Sequence, residues 1–238
     1  MYADKGVAVI IPAAGAGSRM GTVQRKQFLN LRGKEVLEWT LCHLLEDESI
    51  DAIWIAAPGS ELASISKKIK QWQKKDEFKI PIYLTEGGET RQESVFKALM
   101  NIPERFKYVA VHDGVRPFPP KGWIGSNLKL LSEVAGVSAA IPAVDTLMRV
   151  DASAQVLETL VRSEVWAIQT PQLFEREVLM KAHFRAVEDQ FTGTDDAGLV
   201  ERIDGKIQLK MGSLYNIKIT TPLDLVIGEA ILTGAYPL

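Results

Sequence analysis

Short apolar, β-branched runs recur along the chain: "VAVIIP" (7–12), "AIWIAAP" (52–58), "KIPIYL" (79–84), "YVAVHD" (108–113) and "VSAAIPAV" (137–144), then "WAIQT", "IQLKMG" and "NIKIT". Such runs predict strands buried on both faces. Between the early ones the period changes to that of a helix. "KEVLEWTLCHLLED" sets Val36, Leu37, Leu41, Leu44 and Leu45 on one side, and "ELASISKKIKQWQKK" does the same with Leu62, Ile65, Ile69 and Trp72. Strands alternating with helices predict an α/β protein with a mostly parallel sheet, right-handed crossovers and helices on both faces.

From 144 to 170 the rhythm changes. "VDTLMRVDASAQVLETLVRSEVWAIQT" alternates around the polar turn "DASAQ", which predicts a β-arm leaving the sheet, either for a partner subunit or packed on its own domain. The 238 residues, with no repeat or long linker, are expected to form a single domain.

In such sheets ligands bind beyond the carboxyl ends of the strands. The segments "PAAGAGSRM", "APGS", "TEGGETR" and "HDGVRP" are therefore expected to converge on one face. The first resembles a phosphate cradle, because a glycine-rich turn after a strand presents free N–H groups to anions. It is not the dinucleotide fingerprint, since Gly15, Gly17 and Gly21 give GxGxxxG in place of GxGxxG. Nor is it a Walker loop, which needs a Gly-Lys-Ser/Thr ending. Arg19 inside the loop and Lys26 beyond it are either cations fixed around a phosphate, as nucleotidyl transfer needs, or ordinary solvated side chains.

Other loops carry similar signals. "GGETRQESV" joins two glycines to a capping box of Thr90 and Glu93. Asp113 ends a buried strand beside Arg116, which suits either a Mg²⁺ ligand or a turn cap. Its neighbour His112 reads as a packing residue, and the three histidines form no zinc cluster. Arg162 on the arm, Lys218 in "NIKITTPLDL" and Thr194, read as the cap of a helix in "TGTDDAGLVE", leave the choice between ligand contact and plain surface or cap roles open. Thr221, Pro222 and Asp224 announce a last helix.

Charge and composition narrow the partners. Twenty-eight basic against 30 acidic residues leave a net charge of -2, so neither nucleic acid nor an anionic membrane is an expected partner. A lone cysteine, Cys42, excludes an internal disulfide and suits a reducing compartment. The apolar run before Pro12 is too short for a signal h-region or a span. A cytoplasmic protein is expected, or a plastid one if a transit segment precedes this chain.

Taken in order, "PAAGAGSRM", "RKQF", "GGETRQESV", "HDGVRPF", "DTLMRV", "TPQLF", "TDDAGLVE" and "NIKITTPLDL" resemble the 2-C-methyl-D-erythritol 4-phosphate cytidylyltransferases of non-mevalonate isoprenoid synthesis, over nearly the whole chain. The resemblance implies a Rossmann-like nucleotidyltransferase fold, Mg²⁺ as cofactor, CTP and methylerythritol phosphate as substrates, and a homodimer with exchanged arms. It implies that Arg19 and Lys26 stabilise the transition state while Arg162, acting across the dimer, and Lys218 position the methylerythritol phosphate. Ala13, Ala14, Gly15 and Gly17 would line the CTP phosphates and sugar, and Gly87, Gly88 and Ser94 the cytosine. Asp113 would hold the metal. Arg116, Thr146, Thr170 and Thr194 would face the second substrate, with Gly114 also in the substrate-binding set. A phosphate monoester is its own nucleophile, which agrees with the lack of an evident catalytic base. The chain departs from the family where Arg25 replaces a proline before the lysine, and where Leu214 and Tyr215 precede "NIK". A ribitol-5-phosphate cytidylyltransferase and a non-catalytic nucleotide-binding dimer are the rival readings.

Overall fold

The computed structural model describes residues 6–14, 25–75 and 78–234. Its central sheet has seven strands in the order β11-β7-β10-β6-β1-β4-β5. These are β1 (Gly6–Pro12), β4 (Ala52–Ala57), β5 (Ile82–Glu86), β6 (Phe106–Val111), β7 (Gly136–Pro142), β10 (Trp166–Glu175) and β11 (Ile207–Met211). Strand β10 runs antiparallel to both its neighbours, and the remaining pairings are parallel. Two short antiparallel pairs lie outside the sheet: β2 (Asn30–Leu31) with β3 (Lys34–Glu35), and β8 (Met148–Val150) with β9 (Val156–Thr159).

The strand period of two sorts β1 between two cores. Val7, Val9 and Ile11 face the helices α1 (Val36–Leu44), α2 (Leu62–Lys75) and α4 (Trp123–Asn127). Ala8 and Ile10 face α3 (Arg91–Met100), α5 (Arg176–Glu188) and α6 (Asp196–Glu201). Each Ile or Val removed from water here contributes about 1.5–3 kcal/mol. Such runs cannot exist as half-exposed strands, so they force a layer on each face. A third cluster seats α7 (Pro222–Leu232) against Leu31, Val36 and Phe118. Its start is the predicted one, with Thr221 and Asp224 forming a capping box and Pro222 at the first turn.

Three local expectations change. "NIKIT" alternates like a strand in its residue types but joins no ladder among the described residues, and its fully buried residues, Asn216 and Ile219, stand three apart rather than two. Single bonds hold it, among them Ile219 N–H to the Val115 carbonyl at 2.8 Å. The alternation of residue types was legible and the lack of pairing was not, because pairing depends on a neighbour with free backbone groups. Thr194 does not cap α6. Asp195 does, its carboxylate accepting the Gly198 N–H at 2.9 Å, and Thr194 stands one residue earlier. The arm expected over 144–170 is shorter: the exposed hairpin is β8 and β9, and from Trp166 the chain is already in β10, paired with β7. Alternation carries through both regions, so nothing in the pattern marks where the chain re-enters the sheet.

Candidate active site at the carboxyl edge of the sheet

The loops after β1, β4 and β5 are laced together at the carboxyl edge. Ala13 N–H donates to the Ala56 carbonyl at 2.7 Å and Gly87 N–H to the Ala57 carbonyl at 2.8 Å. A Cβ on Gly87 would stand 2.7 Å from the Ala14 Cβ and 2.9 Å from Ser94 Oγ, so glycine is what lets the loops approach. Ser94 Oγ in turn accepts the Gly88 N–H at 3.0 Å. Thr90 caps α3 by accepting the Glu93 N–H at 3.1 Å, while the Glu93 carboxylate reaches back to the N–H of Glu89. Predicted residues Ala13, Ala14, Gly87, Gly88 and Ser94 are thus neighbours. Gly15, Gly17 and Arg19 lie outside the described residues. Lys26 is buried at the start of a 3-10 turn. Arg25, in the place of the family's proline, turns to Glu61 at 2.6 Å and the Ala14 carbonyl at 2.8 Å. That commits Arg25 to bracing the loop.

Beside these loops lies a cavity of about 510 Å³, lined in part by Arg91, Asp113, Arg116, Thr170, Thr194 and Lys218. Asp113, just past β6, is buried, yet three cations meet its carboxylate. Arg91 Nε lies 3.0 Å from Oδ1, Lys218 Nζ 2.8 Å from Oδ2 and Arg116 Nε 3.6 Å from Oδ2. Burial alone would raise the Asp113 carboxyl, but the charges of Arg91, Lys218 and Arg116 outweigh it and hold the group far below the usual carboxylate range. The Arg116 guanidinium donates to the Asn216 carbonyl at 2.7 Å, and its buried Nε–H has no acceptor among the described residues. Cations clustered at the mouth of a cavity, one with an unspent donor, suit an anionic ligand. Gly114, next to Asp113, packs closely on β1, where a Cβ would stand 2.9 Å from the Ile11 side chain.

The antiparallel course of β10 sets Thr170 opposite Asp113. The Asp113 N–H donates to Thr170 Oγ1 at 3.1 Å, and that hydroxyl lies 3.1 Å from His112 Nδ1. His112 Nε2 lies 3.0 Å from the Arg116 carbonyl. One consistent assignment has Nε2–H donating to that carbonyl and Nδ1 accepting the Thr170 proton. Burial pushes the His112 imidazole down to about 4, so it is neutral at pH 7 and braces the Asp113 loop. The packing role read from the sequence fits this geometry.

Thr146 and Arg162 are not brought to this cavity by their own chain. Both are exposed near the base of the arm, and Arg162 donates to the Val144 carbonyl at 3.2 Å.

A sequence profile of IspD, the 2-C-methyl-D-erythritol 4-phosphate cytidylyltransferase family, matches residues 7–234. The chain belongs to this family. A 2-C-methyl-D-erythritol 4-phosphate cytidylyltransferase from Syntrophus aciditrophicus is 37% identical, over 95% of each chain. That of Halalkalibacterium halodurans is 39% identical over 94% of this chain and 96% of its own. The crystal structure of 4-diphosphocytidyl-2C-methyl-D-erythritol synthase from Anaerococcus prevotii superposes with a TM-score of 0.82 at 30% identity, covering 97% of this chain and 99% of that one. The Thermus thermophilus cytidylyltransferase gives 0.76, also at 30% identity, covering 96% and 99%. The α/β layering expected from the strand and helix rhythm, and the nucleotidyltransferase fold implied by the resemblance, are those of the cytidylyltransferase family.

Four polar residues of the site were not singled out from sequence: Arg91, Gln172, His183 and Asp196. Gln172 is fully buried on β10, and its amide oxygen accepts the N–H groups of Asp196 and Ala197 at 3.2 and 3.0 Å. Arg91 carried one readable signal. It is a cation at the first position of a helix, where the dipole disfavours positive charge unless anions face it.

Proposed function

We propose that the chain transfers the CMP unit of CTP to 2-C-methyl-D-erythritol 4-phosphate, giving 4-diphosphocytidyl-2-C-methyl-D-erythritol and pyrophosphate. A phosphate oxygen of the polyol attacks the α-phosphorus, a new P–O bond forms, and the bond to the bridging oxygen of the β-phosphate breaks. The observation that carries this reading is the meeting of Lys218, Arg116 and Arg91 around one carboxylate, in a cavity at the carboxyl edge of the sheet of a chain of this family. Phosphoryl and nucleotidyl transfer depend on positioned charge more than on an acid or base. The neutral, fully engaged His112 agrees with that.

Ala13, Ala14, Gly87, Gly88 and Ser94 form the nucleotide end, with Gly15 and Gly17 assigned beside them. Arg19 and Lys26 stabilise the charge that builds on the α-phosphorus. Arg116, Thr170, Thr194 and Lys218 form the end that takes the polyol phosphate. Lys218 is exposed on a long stem, so it can exchange Asp113 for an arriving phosphate.

The donor set also fits Mg²⁺. Among the described residues no three His, Cys, Asp or Glu side chains gather as a cage. Magnesium needs only one or two carboxylates when phosphates and waters complete its shell, and Asp113 supplies one. Bound there, it would offset negative charge on the triphosphate.

The arm supports a homodimer. Met148, Val150, Val156 and Leu157 are each about half exposed on a two-stranded hairpin that has no core of its own. Such a hairpin is marginal in water and its apolar patch calls for cover. A second copy supplies that cover, and Arg162 and Thr146 reach the partner's cavity from the arm. No helix of the described residues is long and apolar enough to cross a membrane. The lone Cys42 supports a reducing, cytoplasmic setting.

Pyrophosphate release from CTP, Mg²⁺ and methylerythritol phosphate tests the reading. Release with ribitol 5-phosphate at an equal or greater rate, or no release with either, would count against it.

A further inference from the structure

Arg91 is tied at two points. Its Nε lies 3.0 Å from Asp113 Oδ1 and one terminal nitrogen lies 2.7 Å from Asp196 Oδ2. Asp196 is fully buried, and its other oxygen is 3.1 Å from His183 Nε2. The His183 ring is itself fully buried, stacked on Phe96 at 5.6 Å with the planes 1° apart. Side chains from α3, α5 and α6 thus form one continuous line that ends on Asp113.

This line treats the two Asp113 oxygens differently. Oδ1 faces Arg91, which cannot leave without taking from the buried Asp196 its arginine partner. Oδ2 faces Lys218 and Arg116, at the cavity mouth, and Lys218 is free to swing. We propose that Arg91, backed by Asp196 and His183, is a positioning residue that fixes Asp113 by Oδ1 and reserves Oδ2 for the cation accompanying the triphosphate. The inference rests on the reading of Asp113 under the proposed reaction. Arginine is required because its planar fork spans two carboxylates, whereas lysine has one nitrogen to give.

Arg91→Lys keeps the charge and loses the span. It is expected to lower kcat by about 10–100-fold, the usual cost of losing a group that orients a metal ligand, while the KM for CTP moves by only about threefold, little of the lost interaction being ground-state binding. Mn²⁺ affinity, titrated in the presence of an unreactive CTP analogue, falls by the same order as kcat. Asp196→Asn keeps an acceptor for Arg91 and is expected to give a smaller loss in the same two readouts; it carries the test if Arg91→Lys does not fold. Wild-type Mn²⁺ affinity and kcat in a folded variant would overturn the proposal, as would a loss confined to KM. A wild-type chain that released no pyrophosphate, yet bound Mn²⁺ with an affinity that both variants lost, would sink the proposed reaction and uphold the positioning role.

Discussion

Two of the arginine–carboxylate pairs have similar lengths and opposite surroundings. On the arm, Arg149 lies 3.1 Å from Glu158 with both side chains more than half exposed. At the sheet edge, Arg91 lies 2.7 Å from Asp196, whose side chain is 1% exposed. The exposed pair competes with water and salt at every moment, so it adds little. The buried pair does not: removing Arg91 takes the charged partner from a carboxylate that has almost no access to solvent. The same division runs through the rest of the two regions. At the sheet edge Gln172, Thr170 and His112 bond buried polar groups from within. The arm leaves Val144 and Val161 largely uncovered by the described residues. One region holds charges still, and the other leaves apolar side chains in the open.

The contrast is sharpest in stability. Asp196→Ala takes from Arg91 and His183 the buried carboxylate they share, and thermal or denaturant unfolding is expected to register a loss of about 3 kcal/mol, the low end for breaking a buried pair because Arg91 keeps Asp113. A cost below about 1 kcal/mol, the size of an exposed pair, would erase the distinction. In turnover, Arg19→Ala is expected to lower kcat by the equivalent of about 3 kcal/mol while CTP binding changes far less, as for loss of a preorganised charge donor. Equal losses in both would remove its transition-state role.

The next effect comes from His112. Its folded value is about 4 against an ordinary 6.5. The unfolded chain therefore takes up the proton first as pH falls, so this contribution is whole above about pH 6.5 and is lost between about 6.5 and 4, on the order of 3 kcal/mol at most. His112→Gln should flatten the stability profile in that window. A wild-type profile already flat there would show that the imidazole is not held neutral. Smallest of all, Arg149→Ala is expected to shift stability by less than about 1 kcal/mol. On the arm, Val150→Glu with Leu157→Glu is expected to alter the oligomeric state seen by light scattering and to leave the unfolding midpoint at low concentration nearly unchanged.

Much of this was legible without coordinates where the signal is local. β1, β4, β5, β6 and β7 follow from apolar runs, and α7 begins where Thr221, Pro222 and Asp224 say it does. The placement of Gly87 and Gly88 before α3 was also readable, since a glycine pair and a capping threonine are adjacent in the chain. "NIKIT" failed because strand pairing is a property of two segments. The Thr194 cap failed by one residue because two adjacent residues offer oxygen acceptors and the backbone at Asp195 decides which one is used.

Sequence by itself determined the α/β layering, the edge on which function gathers and the residue types that suit a nucleotide, because periodicity, turn chemistry and charge are carried by neighbouring residues. Only the tertiary structure decided that Arg91 would meet Asp113, 22 residues away, and Asp196, 105 away. It likewise decided that Arg25 would spend its charge on Glu61. Such contacts depend on how β6, α3 and α6 are stacked, and an ion pair leaves no periodic mark in the chain that forms it.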